Sequence, residues 1–353
     1  MDKSKSGTMV VDTHAHFTPP EWIDAVRRNG APYGSHIEED KSGRLWLRLG
    51  GDKPVELLPS LSDLTARRQA MAERGIERQV LSPPMTIVGY QLEERQGQAL
   101  SRLFNETNVA TASASEGRLI PVATVPMQSS RAAVEELDYA VKDLGIHMVE
   151  IGTNVNGANL DEEGFRPFFA RAADLEVLIQ LHPHRVAASD RLRSYFLSNL
   201  IGNPMDSAIA AASLIFGGVL DRYPPLNVCL VHGGGALPYL LGRITHGYSA
   251  IGKSRTVPRE PGAYFRKLYF DTIVHDPRTL LFLYELVGAD RLMLGTDYPF
   301  PLGEHRPGKL VEESDLSPTI KERILSGTAL EWLNRRREDY ETDASKTHSR
   351  SLG

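Results

Sequence analysis

Eight short apolar runs, separated by segments of helical spacing, constrain this chain more than anything else in it. They are MVVDTHAH (9–16), RQVLSPP (78–84), RLIPVATVPM (118–127), HMVEIGTNV (147–155), VLIQLHPH (177–184), NVCLVHGGG (227–235), LYFDTIVHD (268–276) and RLMLGTDYPF (291–300). In the intervening segment 130–145, Ala133, Val134, Leu137, Ala140, Val141 and Leu144 recur on one helical face, and Gly145 is a natural stop. Strands alternating with helices predict a parallel sheet with right-handed crossovers. Eight such units predict an α/β fold of the closed (β/α)8 kind, a TIM barrel. An open doubly wound sheet is the competing topology. It ranks lower because no glycine-rich phosphate loop follows the first run, and HGGGALP lacks the Lys-Ser/Thr of such a loop.

The 353 residues allow one large barrel or two domains. We read 1–338 as one barrel domain with two insertions, followed by a polar tail at 339–353 of disordered composition. The first insertion, 33–60, has short alternating runs around Ser42-Gly43 and predicts a β-hairpin over the barrel mouth after strand 1. The second, 185–206, is a long arm after strand 5, a lid or a dimer contact.

A net charge of −5 with no basic stripe excludes a sequence-independent grip on nucleic acid. The one cysteine, Cys229, forms no intramolecular disulfide and sits in an apolar context. The opening MDKSKSGT lacks the apolar core of a signal peptide, and no stretch is long and apolar enough to span a membrane. The expected location is the cytoplasm.

The polar residues of the eight runs collect at one end. His14 and His16 end the first run, two apart, so that in a strand they point the same way. Alone, such a pair is either a metal clip or two polar residues on a solvated edge. His182 and His184 end the fifth run, His232 the sixth, His275 and Asp276 the seventh, and Asp297 the eighth. In a barrel these ends meet at the catalytic mouth. Imidazoles and a carboxylate suit a divalent ion with an open position, zinc above others and Mn²⁺ or another divalent ion after it. Each residue has a plainer alternative. His182 competes with His184, His232 fits a glycine turn, Asp297 fits an Asx turn, and Asp276 is a helix cap that leaves His275 structural. Trp46 and Tyr298 offer apolar surface near the mouth for packing, and Trp46 is also a candidate substrate contact.

Several segments together resemble the amidohydrolase superfamily, in its α-amino-β-carboxymuconate-ε-semialdehyde decarboxylase branch. They are DTHAHFTPPEW, IGTNVN, LHPH, GGVLDRYPPLNVCLVHGGGALPYLLGRITHG, VHDP and LGTDYPFPLGEHRPGKL, spread over about 12–335. The resemblance implies that His14, His16, His182 and Asp297 are zinc ligands. It implies that His232 is the catalytic histidine, with Asp297 also at the reacting centre. It further implies a homodimer in which Arg243 holds a substrate carboxylate in the neighbouring subunit's site.

Two departures fall on the substrate side. The arginine that such decarboxylases carry in the hairpin falls here on Leu47, with Arg48 one place away and Trp46 on the other side. A one-residue step in a strand changes the face, so either Arg48 serves in a shifted register or this clamp is absent. His184 stands where those decarboxylases have an aromatic residue after the His-Pro pair. The implied activity is zinc-dependent non-oxidative decarboxylation of a small carboxylated aromatic or unsaturated acid. The alternative is a hydrolase of the same superfamily, cleaving a C–N or C–C bond in a small cyclic catabolite.

Overall fold

The computed structural model of the chain describes residues 9–333. The polar tail at 339–353 lies outside the described residues. Eight parallel strand positions close into a (β/α)8 barrel. Along the chain the strands are β1 (Val11–Asp12), an inserted antiparallel trio β2 (Ser35–Glu39), β3 (Leu45–Leu49) and β4 (Val55–Leu57), then β5 (Arg78–Leu81). The third barrel position is split into β6 (Leu119–Pro121), which pairs with β5, and β7 (Ala123–Thr124), which pairs with β8 (Met148–Gly152). A small ladder, β9 (Asn154–Val155) and β10 (Ala158–Asn159), precedes β11 (Leu178–His182), β12 (Asn227–Leu230), β13 (Tyr269–Asp271) and β14 (Leu292–Met293). The ring closes where Thr13 N donates to Leu294 O at 2.9 Å and Ala15 bridges Tyr298 in parallel.

Alternation along the strands explains the core. Val11, Val80, Met148, Leu178, Cys229 and Met293 meet inside the barrel, and Trp332 packs against them. Their neighbours Val149, Ile179, Val228 and Phe270 face the surrounding helices. Burying one such side chain is worth roughly 1.5–3 kcal/mol, so the register is strongly fixed. The same period of two places Glu150, Gln180 and Asp271, all buried, one step nearer the mouth. The ladders are shorter than the apolar runs. Past them the chain turns into left-handed backbone at His232, His275 and Asp297, with φ of 54°, 57° and 58°. Those turns re-aim the side chains that end the strands. Asp276 caps the helix Pro277–Val287, accepting from Arg278 N at 2.8 Å.

The first insertion has three strands rather than a two-stranded hairpin. Ile37 pairs with Leu47 and His36 with Arg48. Leu47, Leu49, Ile37 and Leu57 turn inward onto Trp22, Ile87 and Phe104. That register sends Arg48 and Trp46 to the other face. The second insertion carries a short 3-10 turn, Ser189–Arg191, and a π-turn, Ser198–Gly202, that runs into the helix Asn203–Phe216. Buried Asp206 ties it down, accepting from Thr153 Oγ1, from Asn154 Nδ2 at 3.1 Å and from Ala187 N at 3.0 Å. No described helix is long and apolar enough to cross a membrane.

Candidate active site

Four imidazoles and one carboxylate converge at the mouth. His14, His182, His232 and Asp297 each offer a ligand-type atom within 4.8 Å of the others. His16 stands among them, its Nε2 3.2 Å from His14 Nε2 and 3.1 Å from Asp297 Oδ1. His14 and His16 share a face because they are two apart at the end of β1. His182 is the last residue of β11, and Asp297 turns in after β14.

The protons of three rings are accounted for on their far sides. His14 Nδ1 lies 2.7 Å from Asp271 Oδ2, His16 Nδ1 3.2 Å from the Pro83 carbonyl and His182 Nδ1 3.0 Å from the Pro183 carbonyl. A carboxylate or a carbonyl only accepts, so each Nδ1 is the donor and each Nε2 is left as a bare lone pair. Three lone pairs thus face Asp297, whose Oδ1 is buried without a hydrogen-bond donor. Such an arrangement is costly unless a cation sits between the groups. The donor set therefore fits a divalent ion.

Burial, then the neighbouring rings, holds His182 well below the usual imidazole range. Burial also lowers His14, partly offset by its bond to Asp271. Burial pulls His16 down too, but Asp297 and Glu150 outweigh it and raise this one ring. Burial alone would raise Asp297; the rings of His16 and His232 outweigh it and keep it an anion. Asp271 is held low in the same way, through His14 above all.

His232 differs from the other three rings. Its Nε2 lies 3.7 Å from Asp297 Oδ2, while its Nδ1 is buried with no hydrogen-bond partner. No acceptor fixes its tautomer. Its backbone is fixed instead, since Asp271 accepts from His232 N at 2.9 Å and from Gly233 N at 2.8 Å. Residues 232–235 all have positive φ, and at Gly235 a Cβ would lie 2.3 Å from the Pro204 carbonyl oxygen, so only glycine fits there.

Two cavities open on this centre. One of about 450 Å³ is lined by His16, Met85, His182, His232, Asp297 and Phe300. Another of about 460 Å³ shares His232, Asp297, Asn203 and Leu302 with it and is lined further by His275 and Phe282. His184 lies apart, in an adjoining cavity of about 320 Å³ under Leu47, with its ring edge-on to Tyr90. Burial, with Arg185 beside it, pushes that imidazole down to about 4.

The other expected substrate contacts are not at the centre. Arg48 is exposed and donates to Asp52 O at 3.1 Å. The Trp46 indole donates to Asp40 Oδ2 at 3.1 Å and lies near Arg44. Leu47 owns the inward face, which is why neither neighbour reaches the cavities. Arg243 is exposed on the helix Leu237–Ala250 and lines neither cavity of its own chain. Asp271 and Glu150 were not singled out by the sequence reading. The available signal was a lone carboxylate inside an apolar strand, in LYFDTIV and in HMVEIG.

A ring of strand-end imidazoles and one carboxylate at a barrel mouth defines the class as a barrel enzyme with a candidate metal site. The family model described as amidohydrolase matches residues 11–335, and the chain belongs to that family. It is 35% identical to 2-amino-3-carboxymuconate-6-semialdehyde decarboxylase of Dictyostelium discoideum over 331 residues, 92% of each chain. It is 28% identical to a gamma-resorcylate decarboxylase of a Rhizobium species, covering 72% of this chain and 83% of that one. The fold matches 5-carboxyvanillate decarboxylase of Novosphingobium aromaticivorans, crystallised with manganese and 4-hydroxy-3-methoxy-5-nitrobenzoic acid. There the TM-score is 0.78 at 22% identity, over 94% of this chain and 97% of that one.

Proposed function

We propose that this protein is a metal-dependent, non-oxidative decarboxylase of a small carboxylated aromatic or unsaturated acid. The observation that carries the reading is the contrast between rings. Three have their Nδ1 protons tied back and their Nε2 atoms bare, and they sit beside a fourth, His232, whose tautomer nothing fixes. In this reading His14, His16, His182 and Asp297 hold the ion. Three imidazoles and a carboxylate suit zinc, and manganese is the alternative, as in the related crystal structure. Once bound, the ion supplies Lewis-acid stabilisation of substrate oxygens.

The chain's own groups do the rest. His232 delivers a proton to the carbon that carries the carboxylate, and that carbon becomes tetrahedral. The C–C bond then breaks, its electron pair returns to the unsaturated system, and CO₂ leaves. His232 takes its next proton from solvent at the mouth. Asp297, beside His232 Nε2, stabilises the protonated ring. The apolar walls at Met85, Phe300 and Leu302 suit a flat ring and keep water away from it.

Arg243 serves the substrate carboxylate of a second copy in a homodimer. Tyr239, 86% exposed, lies one helical turn before Arg243 on the same face. Exposed Tyr195, Phe196, Leu200 and Ile201 of the arm extend an apolar surface that a monomer leaves in water. We read residues 1–338 as one working barrel domain. A cytoplasmic setting accords with the single, buried Cys229.

The test is product analysis with metal-loaded protein and 2,6-dihydroxybenzoate, 5-carboxyvanillate and 2-amino-3-carboxymuconate-6-semialdehyde. Release of CO₂, abolished by chelation, is expected. Release of ammonia or a new acid without CO₂ would instead make the protein a hydrolase.

A further inference from the structure

Arg67 is a puzzle on physical grounds. It lies on the helix Leu64–Glu73, is wholly shielded from solvent, and forms no ion pair among the described residues. A buried guanidinium without a carboxylate against it is costly. Well-packed apolar residues commonly fill such a position at no loss of stability, so packing alone does not call for an arginine here.

Its fork accounts for it. One arm, Nη2, donates to the His16 carbonyl. The other, Nη1, donates to Gln79 Oε1 at 2.7 Å. Gln79 Nε2 passes on to Asp12 Oδ2 at 2.7 Å, and Thr296 Oγ1 reaches that same oxygen at 2.6 Å. Asp12 Oδ1 accepts from His14 N at 3.2 Å. The guanidinium plane also lies 4.8 Å from the Tyr298 ring and 5.2 Å from that of Phe17. Tyr298 follows Asp297 directly, and its carbonyl accepts from His16 N at 2.7 Å. One side chain therefore bonds the backbone of His16, reaches that of His14 through two residues, and stacks on the residue next to Asp297.

We propose that Arg67 is a positioning residue for the metal centre. It holds the β1 end and the Asp297 turn in one register, so that the Nε2 atoms of His14 and His16 point at Asp297. It touches neither substrate nor ion. The proposal rests on the metal-centre reading above. A planar fork with two fixed donors can do this, whereas a lysine offers a point charge that satisfies one acceptor at a time.

The experiment is Mn²⁺ titration of the metal-stripped full chain, followed by electron paramagnetic resonance of the free ion, for the parent, Arg67→Lys and Arg67→Met. Thermal melts fix a temperature at which every variant is folded. We expect Arg67→Met to bind Mn²⁺ about 10–100-fold more weakly, the loss typical when an outer partner of a ligand is removed. We expect Arg67→Lys to fall between it and the parent while melting close to the parent. If Arg67→Met does not fold, Arg67→Lys alone decides. A folded variant that loses melting temperature but binds Mn²⁺ like the parent would overturn the proposal and leave Arg67 a packing residue. A parent that binds no Mn²⁺ or Zn²⁺ would instead overturn the metal-centre reading, and this proposal with it.

Discussion

His14 donates its Nδ1 proton to Asp271 across 2.7 Å, and that bond leaves Nε2 bare toward the centre of the site. Asp271 accepts at the same time from the backbone of His232 and Gly233, so one buried carboxylate orients a candidate ligand and the candidate proton carrier together. An amide at 271 would present an NH₂ to His14 and push the ring proton onto Nε2, closing it to a cation. Asp271→Asn is therefore expected to bind a divalent ion about 10–100-fold more weakly. Metal content after dialysis against graded chelator checks this. Parent-like retention would mean that the tautomer of His14 is set by something else.

Glu150 is wholly buried with neither oxygen hydrogen-bonded, and burial, only partly offset by His16, pushes it up to about 8 from 4.5. Between those two values the folded state holds a proton that the unfolded chain has released. In the metal-stripped protein stability should thus fall as pH rises through that window. Glu150→Gln removes the contribution. Its melting temperature is expected to fall less than the parent's from pH 5 to about pH 8. Equal slopes for the two proteins would show that Glu150 does not hold this proton.

If Arg243 works in the partner's site, two inactive variants should rescue one another. Arg243→Ala and His232→Ala, mixed and allowed to exchange subunits, are expected to regain part of the parental turnover. A mixed dimer carries one site with both side chains intact. Sedimentation as a fully active monomer, or no recovery after verified exchange, would contradict shared sites.

The pattern of alternating runs made the barrel legible, because strand and helix periods differ and eight repeats leave few topologies. The strand-end histidines were legible for the same reason: the barrel gathers strand ends at one mouth. The faces of the hairpin were not. Whether Leu47 or Arg48 faces inward depends on pairing with Ile37 and His36, and only packing on Trp22 and Phe104 decides it. Asp271 and Glu150 were hidden because a single carboxylate within an apolar strand does not disturb its period. Arg67 was hidden because its partners, Gln79 and the His16 carbonyl, are 12 and 51 residues away along the chain.

The division of labour between three tied rings and one free ring is most directly tested by His232→Asn, with metal content and CO₂ release measured on the same preparation. Asparagine keeps a polar side chain of similar reach but cannot shuttle a proton near neutral pH. The expected result is a parental complement of metal, a parental melting temperature, and a loss of about 10²–10⁴ in turnover, the usual contribution of a general acid. Metal lost in step with activity would contradict the account and make His232 a ligand. Turnover equal to the parent would remove His232 from the proton transfer altogether.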